Sequence, residues 1–153
     1  MYIADLDLCR YHSGPFDADN WSVPLLAVGW LDRDHTYIQG PTASSLIDKF
    51  DELVKQAQQT YSQFRFRGLY ECTLGSAPEA MSCIKGSCNN VFVPGEGVVY
   101  VAPAGASHYM KVHSYNPPQP FTDSVLKCPE VGSKEYELTL LRANAGKPLP
   151  IGF

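Results

Sequence analysis

The chain has no apolar stretch long enough to cross a bilayer. Its longest run, Val23-Pro-Leu-Leu-Ala-Val-Gly-Trp-Leu31, falls well short of the ~20 residues a spanning helix needs and carries a proline and a glycine. The first residues, Met1-Tyr-Ile-Ala-Asp-Leu-Asp-Leu, lack both a basic patch and an apolar core of signal-peptide length, which predicts a cytoplasmic protein. Basic surplus is missing too: 12 Lys and Arg stand against 16 Asp and Glu, a net charge of -4, so clustered cations for nucleic acid or anionic lipid are not expected. A basic protein partner suits that charge. Five cysteines, Cys9, Cys72, Cys83, Cys88 and Cys128, are an odd number without secretory context, which favours free thiols over a disulfide framework. There is no nucleophile elbow, phosphate-cradling glycine loop, HExxH helix or dinucleotide fingerprint, and no internal repeat or charge block. The chain therefore reads as non-enzymatic.

What is present is enough for one domain. At 153 residues, 44% hydrophobic and 18% charged, the chain can bury roughly 70% of the surface its unfolded form exposes. Apolar residues at helical spacing, Leu46, Ile47, Phe50, Leu53, Val54, Ala57 and Tyr61, predict a long helix over residues 45–61, with Ser45 and Asp48 as a variant capping box. Residues 2–8 suit a half-buried strand and residues 25–31 an interior one. Residues 65–74 read as extended. Two β-branched and aromatic runs flank Pro94-Gly95-Glu96-Gly97, which predicts a hairpin over residues 90–101. A short helix is expected within residues 104–113, another turn or two within 121–127, and a last strand at 135–141, where polar and apolar residues alternate. The predicted architecture is one α+β domain over residues 1–153: a mainly antiparallel sheet covered by one long helix and one or two short ones.

Side chains with chemistry concentrate between His108 and Pro118. Cysteine and histidine are the ligands zinc prefers, and the candidates are Cys72, Cys83, Cys88, His108 and His113. Cys83 and Cys88 have four residues between them, within the tolerance of a zinc knuckle. His108 and His113 are five apart, about 140° around a regular helix, so they share a face only where the helix ends between them. The double proline at 117–118 makes such an ending available. Cys72 with either histidine would also make a thiol–imidazole pair, provided the fold joins the segments. Asp32, Asp34 and His35 read as a solvated turn. Nine tyrosines are many for this length, and Tyr37, Tyr70, Tyr109 and Tyr115 could form an aromatic interaction surface.

One resemblance bears on these residues. The order Gly29-Trp30-Leu31-Asp32-x-x-His35-x-Tyr37-x-x-Gly40, Arg67-Gly68 before Cys72, Val98-Val-Tyr100-x-Ala-Pro103, and His108-Tyr109-x-x-x-His113-x-Tyr115-x-Pro-Pro118 resembles a bacterial, largely actinobacterial family of small proteins of unknown function. The likeness runs over about residues 1–126, leaving residues 127–153 as an extension beyond the pattern. In that family the central segment reads Arg-Gly-Phe-His-x-Cys-x-x-Cys, which with the later His-Tyr-x-x-x-His implies a zinc site. Here Tyr70 replaces the histidine and Gly75 the second cysteine. Two functions follow as expectations: a small cytoplasmic binding protein of immunity or antitoxin type that caps a basic partner and needs no cofactor, and alternatively a zinc-binding domain, structural or hydrolytic, built from Cys72, His108, His113 and Cys83 or Cys88.

Overall fold

The computed structural model describes residues 2–9, 21–60, 72–74 and 89–147. Among the described residues the sheet has three strands, β1 (Leu25–Ala27), β2 (Asn90–Pro94) and β3 (Val99–Pro103), in the order β1-β3-β2. The predicted hairpin is β2–β3, antiparallel with Val93 opposite Tyr100, and β1 runs parallel to β3 with Leu26 opposite Tyr100. The sheet is thus mixed, with one antiparallel and one parallel strand pair.

Both faces of the hairpin are covered, since residues 91–94 and 99–102 are all buried. Alternation along the strands sorts what covers them. Tyr100 meets Phe121 edge-on, and Phe121 meets Phe50, so one face packs on the helices α1 (Ser44–Thr60) and α3 (Gln119–Lys127). Phe92 and Val101, a cross-strand pair, serve the other face, where Phe92 stacks on Trp21 and the Trp30 indole N–H donates to the Val101 carbonyl at 2.9 Å. The remaining helices are α2 (Ala106–Val112) and α4 (Lys134–Ala143). No helix among the described residues is long and apolar enough to cross a membrane.

Helix α1 buries Leu46, Phe50, Leu53 and Ala57, the stripe its 3.6-residue period dictates. It begins one residue earlier than expected. The Ala43 carbonyl accepts from the amides of Leu46 and Ile47, which puts Ser45 inside the first turn rather than at the cap. Residues 2–8 make only isolated bridges, Ile3 to Trp30 and Leu8 to Leu26, because the chain turns at Leu6, whose φ is 69°. The run at 25–31 keeps its strand for three residues before Gly29, at φ 82°, redirects it. There the glycine is required: a Cβ would lie 2.7 Å from Ala106 Cβ, so the start of α2 packs directly on the Gly29 backbone.

The expected last strand is helix α4. The alternation at 135–141 is real, but Tyr136, Leu140 and Ala143 also recur at helical spacing, and these three are buried while Leu138 is exposed. Capping decides between the periods. The Ser133 hydroxyl accepts from the Tyr136 amide at 3.2 Å, Glu135 and Glu137 occupy the positive end of the helix dipole, and Arg142 the negative end. The Tyr136 hydroxyl donates to the Phe92 carbonyl at 2.6 Å, and buried Asn144 accepts from the amide of Ser22 at 2.7 Å. Helix α4 is therefore locked to the sheet and to the segment entering β1.

Candidate metal centre

The stretch between α2 and α3 is built by where α2 stops. The helix ends at Val112, His113 caps it with φ -112° and ψ 16°, and Ser114 turns left-handed at φ 54°. The Tyr109 carbonyl then accepts from the amides of both His113 and Tyr115. Leaving the helix at this point swings His113 off the position five helical residues would give it. The ring centroids of His108 and His113 lie 5.0 Å apart, nearly perpendicular.

Residues 37–42 clasp this turn from outside. The Tyr37 hydroxyl donates to the His113 carbonyl at 2.8 Å, Thr42 donates to the Tyr115 carbonyl at 2.8 Å, and backbone bonds join Gly40 to Ser114 and Asn116 to Ile38. Beneath it, Tyr115 is fully buried, and its hydroxyl donates to Asp5 at 2.8 Å. The other Asp5 carboxylate oxygen accepts from the Gly29 amide at 3.0 Å. Burial raises the Asp5 pKa, against the lowering influence of these two donors, and burial raises that of Tyr115, with the Asp5 charge adding to it. On the α1 side, Asp51 accepts from the Ser107 hydroxyl and from Lys111, the latter at 2.5 Å, which holds α2 on either side of His108.

Into this frame comes Cys72. Its sulfur lies 3.4 Å from His113 Nε2, and the ligand atoms of Cys72, His108 and His113 all fall within 4.8 Å of one another. Tetrahedral zinc, with bonds of about 2.3 Å to sulfur and 2.0–2.1 Å to nitrogen, sets sulfur and nitrogen about 3.5 Å apart. The Cys72–His113 pair already has that spacing. With His108 the cluster offers one thiol and two imidazoles close enough that it could hold a metal ion. His113 is buried, whereas Cys72 and His108 are half-buried. Burial, helped by the neighbouring His113 and Lys111, lowers the His108 pKa and favours the neutral imidazole that a metal requires.

The structure thus joins three of the five predicted ligands. Cys83 and Cys88 lie outside the described residues. Cys9 and Cys128 are buried, and burial pushes the Cys128 pKa up to about 12, which makes it inert. Two of the four tyrosines expected to form a surface are buried instead. Tyr109 and Tyr115 are core residues, Tyr37 is half-buried with its ring edge on Tyr115, and Tyr70 lies outside the described residues. Arg33 and Asp51, which the sequence did not single out, prove to be supports: Arg33 Nε donates to the Thr73 carbonyl at 3.3 Å, next to Cys72. Long-range bonds of this kind leave no local signal in sequence.

Residues 1–126 match the model of the family described as Domain of unknown function (DUF7919). The chain belongs to this family. All three clustered ligands lie inside the DUF7919 span, and helix α4 lies beyond it. No curated protein and no solved structure matches the chain.

Proposed function

We propose that the protein is a zinc-binding domain whose ion is held by Cys72, His108 and His113. The observation that carries this reading is the convergence of three donor atoms within 4.8 Å from segments 36 to 41 residues apart in sequence, with the Cys72–His113 pair at 3.4 Å. One thiolate and two imidazoles suit zinc among the common divalent ions, and the set leaves one tetrahedral position for water, substrate or a further protein ligand. In the last case Cys83 or Cys88 is the donor. A bound ion would tie the Cys72 segment to the end of α2 and act there as a Lewis acid.

Chelator-stripped protein should take up one zinc per chain in competition with a chromophoric chelator. Binding to a four-ligand zinc site is worth roughly 10–16 kcal/mol, so removing one ligand by Cys72→Ser, His108→Ala or His113→Ala should weaken affinity about 10²-fold or more. Cobalt substitution reads the ligand set directly. A near-ultraviolet sulfur-to-cobalt band lost in Cys72→Ser and retained in Cys83→Ser and Cys88→Ser identifies a single-thiolate site with an exchangeable position. Substoichiometric zinc that is unchanged by Cys72→Ser rejects the proposal.

A further inference from the structure

Between the β2–β3 turn and α3 lies a cavity of about 510 Å³, a volume suited to small molecules, and none of its lining residues belongs to the metal centre. Pro120, Asp123 and Lys127 recur at the spacing of one helix face, so α3 forms a continuous wall. The hairpin supplies Pro94, Glu96 and Tyr100. Gly95 brings the turn close, since a Cβ there would lie 2.8 Å from Tyr100 Cε2, and the turn therefore rests on the edge of the tyrosine ring.

Tyr100 is the group that points to a ligand. It is only 6% exposed and its ring meets Phe121 edge-on, yet its hydroxyl makes no hydrogen bond to any described residue. The oxygen is not sealed in protein either, so its open side is the cavity that Tyr100 lines. A largely buried hydroxyl is costly without a partner, which makes it a ready contact for a polar group entering the cavity. Burial raises the Tyr100 pKa and the Glu96 charge raises it further, so the phenol stays neutral and has that carboxylate within electrostatic reach.

Charges of both signs border the same space. Glu96 and Lys127 are exposed and form no ion pair among the described residues, while Asp123 accepts from Gln119 at 2.8 Å through one oxygen and keeps the other. Pro94, Pro120 and the Tyr100 ring add apolar surface. A molecule that satisfies all of these carries an ammonium, a carboxylate and an apolar group together. We propose that the cavity binds a free α-amino acid with an apolar side chain. Its ammonium donates to the Tyr100 hydroxyl and the Glu96 carboxylate, its carboxylate meets Lys127, and its side chain lies on the prolines.

The test is an NMR titration of the full-length protein with phenylalanine and leucine, and with two analogues of phenylalanine that each lack one charge, phenethylamine and 3-phenylpropanoate. Saturable amide shifts should centre on residues 94–100 and 120–128, and phenylalanine should bind more tightly than either analogue. A hydrogen bond to a charged group is worth enough that Tyr100→Phe, which keeps the ring packing, should weaken phenylalanine binding about 10-fold or more. Glu96→Gln should weaken both phenylalanine and phenethylamine. Lys127→Met should bring phenylalanine down to the affinity of phenethylamine without weakening phenethylamine itself. Glu96 and Lys127 are exposed, so these two variants leave the core intact. No saturable shift with either amino acid, shifts centred elsewhere, equal affinity for phenylalanine and its analogues, or full affinity in Tyr100→Phe would each overturn the proposal. Zinc binding is read separately, so either reading can fail while the other stands.

Discussion

Replacing Tyr115 by phenylalanine removes one oxygen from a fully buried ring and leaves Asp5 with the Gly29 amide as its remaining donor among the described contacts. A hydrogen bond to a charged group contributes about 1.5–3 kcal/mol, and partial solvation of Asp5 brings the expected loss to about 1–2 kcal/mol at neutral pH. For a chain of this length that corresponds to a fall of about 2–8 °C in Tm. The pH dependence distinguishes this cause from a packing defect. Burial raises the folded-state pKa of Asp5 above 3.8, so the native state binds the proton more tightly than the unfolded chain. Stability from this group is therefore greatest below about pH 4 and declines as pH rises through the folded pKa. The Tyr115 hydroxyl lowers that pKa, so Tyr115→Phe moves it further up and steepens the decline. Urea melts at pH 4 and pH 7 should show a larger loss in the variant at pH 7. An equal loss at the two pH values would refute the assignment, and Asp5→Asn should flatten the difference.

Three further perturbations test other links. Gly29→Ala places a Cβ against Ala106 at a left-handed φ, and the conformational cost of about 1–2 kcal/mol plus overpacking of about 1–3 kcal/mol should appear as a lower urea midpoint; a shift equivalent to less than about 0.5 kcal/mol would contradict the close approach of α2. Tyr136→Phe removes the hydrogen bond to the Phe92 carbonyl and should cost about 0.5–1.5 kcal/mol, with unchanged thermal unfolding as the refuting result for α4 as a structural element. Zinc retention, followed by equilibrium dialysis, should decline as pH falls through the lowered pKa of His108, because protons then compete with the ion for its imidazole; occupancy that stays constant to about pH 4.5 would argue against histidine ligation.

Local pattern carried much of the architecture. The stripe from Leu46 to Ala57 announced α1, and Pro94-Gly95-Glu96-Gly97 announced the β2–β3 turn, because both depend on near neighbours in sequence. Pattern misled where two periods coincide. Residues 135–141 satisfy both a two-residue alternation and the Tyr136–Leu140–Ala143 helical spacing, and the Ser133 cap decides for the helix. At the site, composition pointed to Cys72, His108 and His113, and the double proline allowed a helix end, but the aromatic surplus beside them suggested an exposed surface where the fold uses Tyr109 and Tyr115 as core.

The sequence by itself determined the domain class, the long helix, the hairpin and the identity of the candidate ligands, all of which follow from composition and short-range periodicity. Only the tertiary structure decided that the ligands meet. Cys72 and His113 are 41 residues apart, and their approach to 3.4 Å depends on where α2 stops, on the left-handed turn at Ser114, and on the Tyr37, Arg33 and Asp5 contacts that hold the surrounding segments. Those are long-range interactions, and no window along the chain contains both partners.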